Sequence, residues 1–537
     1  MCLIIFHITL FLVYIYFSGI GILGLISTLL RSKADIPGKI YLYPVIGYCS
    51  SLVLFRLGFP FFSNAEHTVY AVLFILSGIY LIFFMISRRR IVNKIVSFWK
   101  HFSISKENGI LIVLFFVMIF YISWPYLYIG ERNYYHSGNG DYFERHAVGS
   151  LFLNDVDGAI NLCSFESNTI TQYISQVFWT IILQTKNPMD PFIQSIVNLL
   201  MTVFGQFWLL RSVFRFSFPI SIISSLCMII SNLYFTTYLA GHIGSMMYGA
   251  VAPYFLGLSI CWIKAIKKNI ESYQCSNSIF YSRFEAHVFF MLSALIYFFA
   301  QHTYPGPIHF LIIPLIAYAV YEWVLLPSRF WNKIQAFYSP QAGNYFSSKF
   351  QLKIVFTVLI GIIFLLSMVI FTWEYLEPKR IHNILRGSQQ TWLISQTINM
   401  LMIFWGVFAS DLVGSPRIVV VAHNFVSFLL FAIFFVISVF YCVVTVYGVS
   451  VINRTKKHFF LIFAFFWVCF FVMMKYFYGS PYYLYKFYYV NFFLIIPCFI
   501  VGALNILRFR NSFRWVSYLL IVFFFINNTY FNLKIAT

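Results

Sequence analysis

Charge is what this sequence has least of. Only 10% of its residues are Asp, Glu, Lys or Arg, against roughly 25% in a soluble domain. That shortage excludes a water-soluble globular protein. Acidic residues are scarcer still, 16 in 537 positions, which excludes an acidic tail or a solvated disordered chain. The nine cysteines show no CxxC or Cys/His spacing, so nothing in them suggests a structural zinc site. Internal repeats and low-complexity tracts are absent, and no polar stretch is long enough to form a separate soluble domain.

Apolar and aromatic residues take up the difference: 61% of the chain is hydrophobic and 22% is Phe, Tyr or Trp. A helix crossing a bilayer needs about 20 apolar residues. Fourteen segments meet or approach that length: 3–30, 40–63, 67–87, 109–129, 191–213, 217–238, 246–266, 286–301, 306–327, 352–375, 416–450, 458–477, 484–506 and 514–531. The expected fold is therefore an all-α polytopic membrane protein of about fourteen transmembrane helices. No basic residue precedes the first segment, while Arg31, Lys33 and Lys39 follow it. A cleaved signal peptide has the reverse order, so it reads as an uncleaved span with its N-terminus outside.

Lys and Arg fix the orientation of that reading. Alternating the segments from an outside N-terminus places 25 of the 36 basic residues inside and ten outside, with Arg56 within a span. This is the bias expected of cytoplasmic loops. It accounts for the net charge of +20 without nucleic acid as a partner. The partner implied by composition is the lipid bilayer.

Acidic residues run the other way, and eleven of the sixteen fall outside. Topology does not require this, because acidic residues contribute little to it. Six of them crowd into 131–166, in the first of two long outer loops, about 130–190 and 376–415. The only cysteine in the first loop is Cys163, so that loop cannot close on itself with a disulfide. Three parts follow: 1–108, an N-terminal three-helix segment; 109–375, a membrane module carrying the acidic loop; and 376–537, the second loop with the C-terminal helices.

Within loop one, Gly138, Gly140 and the Asn and Ser beside them mark a turn. Asp141 follows, with Glu144 three residues on, an arrangement that caps a helix start. A carboxylate just above the membrane can also take the proton of an attacking hydroxyl. Asp141 is thus both a cap and a candidate catalytic base, with Glu144 and Arg145 one turn along to orient it and His146 beside them. Asp155-Val156-Asp157 has the form of a metal-binding DxD pair, though Asn154 and Gly158 around it equally describe a surface turn. Those two aspartates are the only metal candidates, and a divalent ion is an open requirement. Farther on, Ile170, Tyr173, Ile174, Val177, Phe178, Ile181 and Ile182 recur at helical spacing opposite Thr171, Gln172, Ser175, Gln176 and Thr180. This predicts an uncharged amphipathic helix over 168–184. It either lies in the membrane surface or packs against other loop helices; the surface is the expectation.

Three short stretches add to the layout: Gly-Asn-Gly-Asp-Tyr-Phe-Glu-Arg-His-Ala at 138–147, Gln301-His302-Thr303-Tyr304-Pro305-Gly306, and Ser480-Pro481-Tyr482-Tyr483-Leu484-Tyr485-Lys486. A span leading into a long acidic outer loop with a surface helix, six further spans and a second long outer loop resemble the membrane module of the GT-C glycosyltransferase superfamily over roughly 109–506. The first stretch looks like that family's Asp-containing loop, the last like a YYxYK pattern of some bacterial members. Three spans precede the acidic loop's own span, which departs from the family's usual layout. The resemblance implies a glycosyltransferase of a bacterial inner membrane, with its site facing the periplasm. Its donor would be a polyprenyl-phosphate-linked sugar and its acceptor a glycan or lipid.

Such a donor releases a phosphate that gains charge as it leaves, and preorganised cations and hydroxyls stabilise it. Lys486 with Tyr485 at the outer end of a late span fits that task; an interfacial snorkelling lysine fits the same position. In loop two, Lys379, Arg380, His382 and Arg386 form the densest outer basic cluster, suited to phosphate or to anionic head groups. His302 and Tyr304 lie where another span leaves the membrane and are candidate substrate contacts, while single histidines also serve structural ends. Arg56 and Glu322 fall inside predicted spans, where ionisable groups are costly and often functional. The competing activities are a flippase for a lipid-linked glycan and a polysaccharide polymerase or ligase. Neither two similar halves nor charge pairs in mid-span favour the flippase. Arg380, His382 and Arg386 keep the polymerase in view.

Overall fold

The computed structural model describes residues 2–29, 36, 38–58, 65–100, 106–134, 175, 177–179, 181–182, 190–239, 243–272, 282–303, 305–325, 405, 425–452, 454–473, 481–507 and 513–536. Among these the chain is helical nearly throughout and no strand occurs. Seven helical stretches are long and apolar enough to cross a membrane: Phe6–Thr28, Lys39–Gly58, Ala65–Ser87, Gln194–Val213, Gly244–Lys268, Ala432–Val451 and Phe487–Ile506. That is the character of a membrane protein. Four shorter apolar helices accompany them, Gly109–Trp124, Phe218–Ile230, Glu285–Gln301 and Phe310–Trp323. Thirteen predicted segments overlap described helix, though 30, 59–63, 326–327, 416–424 and 474–477 within them lie outside the described residues, as do 352–375 and most of 376–415; the seven membrane-length stretches are half the fourteen expected.

The helices are α1 (Cys2–Leu29), α2 (Tyr43–Gly58), α3 (Ala65–Lys100), α4 (Lys106–Tyr134), α5 (Asp190–Trp208), α6 (Phe218–Ile230) and α7 (Asn232–Leu239). Then come α8 (Ile243–Ser272), α9 (Ser282–Thr303), α10 (Pro305–Val320), α11 (Phe425–Val451), α12 (Arg454–Met473), α13 (Pro481–Ile506) and α14 (Phe513–Ala536). The predicted segment 217–238 is two helices, because Ser231 leaves the helical conformation between α6 and α7. Two helices end in a wider π-turn, Leu209–Val213 after α5 and Tyr321–Leu325 after α10.

Polar contacts show which helix ends share a side. Arg211 at the end of α5 pairs with Glu107 at the start of α4 (3.4 Å). Lys267 of α8 meets Glu322 beyond α10 (2.7 Å), and Lys456 at the start of α12 donates to the Arg215 carbonyl (3.1 Å). Lys457 reaches the Ser450 carbonyl at the end of α11 (3.1 Å). These contacts define a basic end of the bundle. At the opposite end, the loop end, lie the end of α4 and the start of α5, between which 135–189 runs, the end of α9, and the starts of α10, α11 and α13.

Glycine sets the closest crossings. A Cβ on Gly47 of α2 would strike the carbonyl of Ile15 in α1, and one on Gly19 would strike the carbonyl of Tyr43. The same reciprocal pairing joins Gly448 of α11 to Cys498 of α13, and Gly502 to Val444. Apolar faces give little net drive for association in lipid, so close backbone approach at small residues supplies van der Waals contact instead. Elsewhere large side chains fill the space. Tyr48, Trp179, Trp208, Tyr254 and Tyr441 are fully buried, while Phe74, Phe465, Trp515 and Leu519 point outward, the pattern of a bundle whose solvent is lipid.

Candidate functional site at the loop end

The end of loop one is seated inside the bundle. Ser175, Val177, Phe178, Trp179 and Ile181 are all buried. Trp179 stacks on Tyr48 of α2 with ring centres 6.0 Å apart and planes 3° off parallel. Phe178 packs on Phe55 of α2 (5.2 Å) and on Tyr14 of α1 (6.4 Å). The described part of the predicted amphipathic helix is therefore covered by α1, α2 and α8, not spread on an open surface. The aromatic residues of α1 and α2 match its apolar face, and Ser175 on its polar face has partners within the bundle.

Those partners form a small buried polar pocket. Gln194, one turn into α5, donates from Nε2 to Ser175 Oγ (2.9 Å). The same nitrogen lies 3.4 Å from the Tyr48 hydroxyl and 3.6 Å from Met247 Sδ of α8. Asn198, one turn deeper, is fully buried, and neither its oxygen nor its nitrogen is hydrogen-bonded; its amide lies beside Tyr48, outside hydrogen-bond geometry. Gln194 Oε1 is likewise unpaired. At the end of α9, Gln301 is 4% exposed and both of its amide atoms are unpaired. Phe299, two residues earlier, packs on Tyr48 (5.5 Å).

Polar side chains continue down one helix. Gln194, Asn198, Thr202 and Gln206 recur at every fourth position of α5, and all are buried. Thr202 turns its hydroxyl onto its own helix, at the Asn198 carbonyl (2.8 Å). Gln206 donates to the Phe493 carbonyl of α13 (2.6 Å). That carbonyl is free because Pro497, four residues on, has no N–H to return to it.

These side chains form a buried cluster whose unpaired amide atoms are of the kind that hydroxyl groups or ordered water satisfy. Among its described members there is no carboxylate, lysine or histidine, so a proton acceptor would have to come from the loop above. Asp141, Glu144, Arg145, His146, Asp155 and Asp157 lie outside the described residues, as do Tyr304, Lys379, Arg380, His382 and Arg386. His302 lies in the last turn of α9, and Tyr485 and Lys486 in the first turns of α13; their side chains lie outside the description. The helices bring these positions to one end. Phe487, next to Lys486, packs on Phe310 of α10 (5.2 Å). Tyr488 and Tyr489, next along α13, are core residues. Tyr489 stacks on Tyr234 (4.3 Å), and Tyr488 on Trp467 (5.9 Å).

Among the described residues no three of His, Cys, Asp and Glu gather as a metal site. Glu322, conspicuous in the sequence as an acid within a span, is half of the ion pair with Lys267. The polar stripe of α5 escaped the sequence reading, although its four-residue spacing within 191–213 was a visible signal. No family model, no curated protein and no solved structure matches this chain.

Proposed function

We propose that this protein is a membrane glycosyltransferase that moves a sugar from a polyprenyl-phosphate donor to a glycan or lipid acceptor. The reaction takes place at the loop end of the bundle, on the outer, periplasmic face, a reading supported by the bias of Lys and Arg toward the other end. The observation that carries the reading is the acidic loop itself. Six carboxylates fall within 131–166, and near the far end of that loop Ser175 docks against Gln194 and Met247, with Gln194 in turn reaching Tyr48. Neutral amides at the loop end and carboxylates in the sequence of the loop suit a sugar, whose hydroxyls need hydrogen bonds and whose acceptor needs a base.

In this mechanism Asp141 takes the proton of the acceptor hydroxyl as that oxygen attacks the anomeric carbon. The bond from that carbon to the phosphate oxygen breaks on the opposite face, giving inversion. Lys486, Lys379, Arg380 and Arg386 receive the departing phosphate. Glu144 and Arg145 orient the base, and His146, His302 and Tyr304 contact substrate. The two aspartates Asp155 and Asp157 would hold a divalent ion if the phosphate needs one.

General-base catalysis contributes about 10²–10⁴-fold, and Asn caps a helix nearly as well as Asp. Asp141→Asn should therefore insert and fold normally yet lose activity by that factor, measured as sugar transfer from a polyprenyl-phosphate donor in membranes. Asp155→Asn and Asp157→Asn should lose less. Near-normal turnover by Asp141→Asn would leave that residue as a cap alone. The buried polar stripe of α5 favours one second reading, a flippase that passes a polar head group along Gln194, Asn198 and Thr202. Asp141→Asn would spare that activity.

A further inference from the structure

The basic end of the bundle holds more positive charge than its contacts neutralise. Arg215 follows α5, Lys264 and Lys267 belong to α8, and Lys456 opens α12. Among the described residues the one carboxylate drawn into this group is Glu322, which pairs with Lys267 at 2.7 Å and also attracts Lys264. Lys456 is held in place by the Arg215 carbonyl (3.1 Å) and lies over the Phe216 ring, 4.4 Å from its centre. Burial, and then the charges of Lys264 and Arg215, push its ammonium below the usual lysine range. Like charges from three elements are thus gathered against their mutual repulsion.

The backbone is unusual at the same place. Arg215 has φ 54°, the one non-glycine residue with positive φ among those described. The π-turns Leu209–Val213 and Tyr321–Leu325 flank the group. Left-handed non-glycine residues and π-turns cost energy and recur where a ligand or a moving part needs them. Beside the group, α10 and α12 leave a groove of about 340 Å³ lined by Ala317, Tyr321, Leu461, Ile462, Phe465 and Phe466. Tyr321, one of its lining residues, is the chain neighbour of Glu322, and the Tyr321 ring meets His458 (4.8 Å), two residues after Lys456.

The geometry points to a binding site for an anionic phospholipid, its phosphate on Arg215, Lys264 and Lys456 and an acyl chain along the groove between α10 and α12. Charge complementarity selects the head group: Arg215, Lys264, Lys267 and Lys456 share one carboxylate, Glu322, which leaves an excess of positive charge suited to a phosphate, and basic pockets between membrane helices hold anionic heads. The apolar groove selects a lipid over a soluble anion. This site lies at the opposite end of the bundle from the proposed transfer site and does not depend on it.

The test uses the purified full-length protein in detergent, given equal amounts of dioleoyl-phosphatidylglycerol and dioleoyl-phosphatidylcholine, with retained lipid measured by mass spectrometry. The protein should retain the anionic lipid over the zwitterionic one by about a hundredfold, from three cations each contributing near-surface attraction. The combined variant Arg215→Gln, Lys264→Gln, Lys456→Gln should bring that preference close to parity. The control Arg88→Gln, Arg89→Gln, Arg90→Gln, which removes the same charge from α3, should keep it. Equal loss in both variants would mean bulk attraction, and an unchanged preference in the first would mean no site; either overturns the proposal. Displacement of the lipid by inorganic phosphate at matching concentration would overturn the lipid assignment in favour of a soluble anion. If the combined variant fails to fold, Lys456→Gln alone should lower the preference and Lys456→Arg should restore it. Phe465→Trp should weaken retention of the two-chain lipid by partly filling the groove, and unaltered retention would remove the groove from the site.

Discussion

A buried carbonyl in a membrane helix needs a donor, and Gln206 supplies one from a neighbouring helix. Pro497 leaves the Phe493 carbonyl without its N–H, and Gln206 Nε2 meets it at 2.6 Å. Gln206→Leu strands that acceptor, at a cost of about 1–3 kcal/mol, and should lower the thermal midpoint. Pro497→Ala restores the helix's own N–H, so in that background Gln206→Leu should cost markedly less. A double-mutant cycle measures the coupling, and additive losses would show that Gln206 acts elsewhere. The same logic serves the break at Ser231: Asn532 of α14 donates to the Ile230 carbonyl (2.8 Å) and to the Tyr121 hydroxyl (2.8 Å). One side chain thereby ties three helices together where α6 ends.

Helices here join in two ways, and each predicts a different sensitivity. The α1–α2 and α11–α13 pairs meet backbone to backbone at Gly19, Gly47, Gly448 and Gly502. Gly47→Val and Gly448→Val place atoms where carbonyls already lie, so each should cost about 1–3 kcal/mol or more and reduce the folded yield from membranes. Gly78 of α3 has open space where a Cβ would stand, and Gly78→Ala should be tolerated; helix propensity favours it by about 1 kcal/mol. Equal yields from the Gly47 and Gly78 variants would contradict the close crossing. The second mode is aromatic. Trp179, Tyr48 and Phe11 form a buried cluster that fastens the end of the acidic loop to α1 and α2. Trp179→Ala should cost about 3–5 kcal/mol and release that segment to protease, where Trp515→Ala, an exposed aromatic, should not.

For the whole molecule, orientation is the property that decides function. The contacts that link the ends of α5, α8 and α10 with the starts of α4 and α12 place the basic residues on one side. Both long loops are expected on the other. Cysteines introduced at Ser137 and Ser388 should react with a membrane-impermeant thiol reagent applied outside intact cells, and one at Ser103 should not. Reaction of the first two only after permeabilisation would overturn the proposed outer site as a whole.

The sequence by itself determined that this chain lives in a bilayer, because hydrophobic runs and the scarcity of charge leave no soluble alternative. It also placed the helices well, since each needs its own apolar length and that length is written locally. The division of 217–238 at Ser231 was not legible, because an apolar run with one more serine reads as continuous. Nor was the placement of Phe178 and Trp179: amphipathic spacing says that one face must be covered, and only the positions of Tyr14, Tyr48 and Phe55 decide that protein covers these two residues. Glu322 posed as a functional acid until the fold supplied Lys267. The polar stripe of α5 and the gathering of Arg215, Lys264 and Lys456 depend on helices far apart in the chain meeting face to face. Local pattern sets which residues are apolar and where a helix runs; which polar groups share a pocket is set by packing between distant segments, and that only the tertiary structure decides.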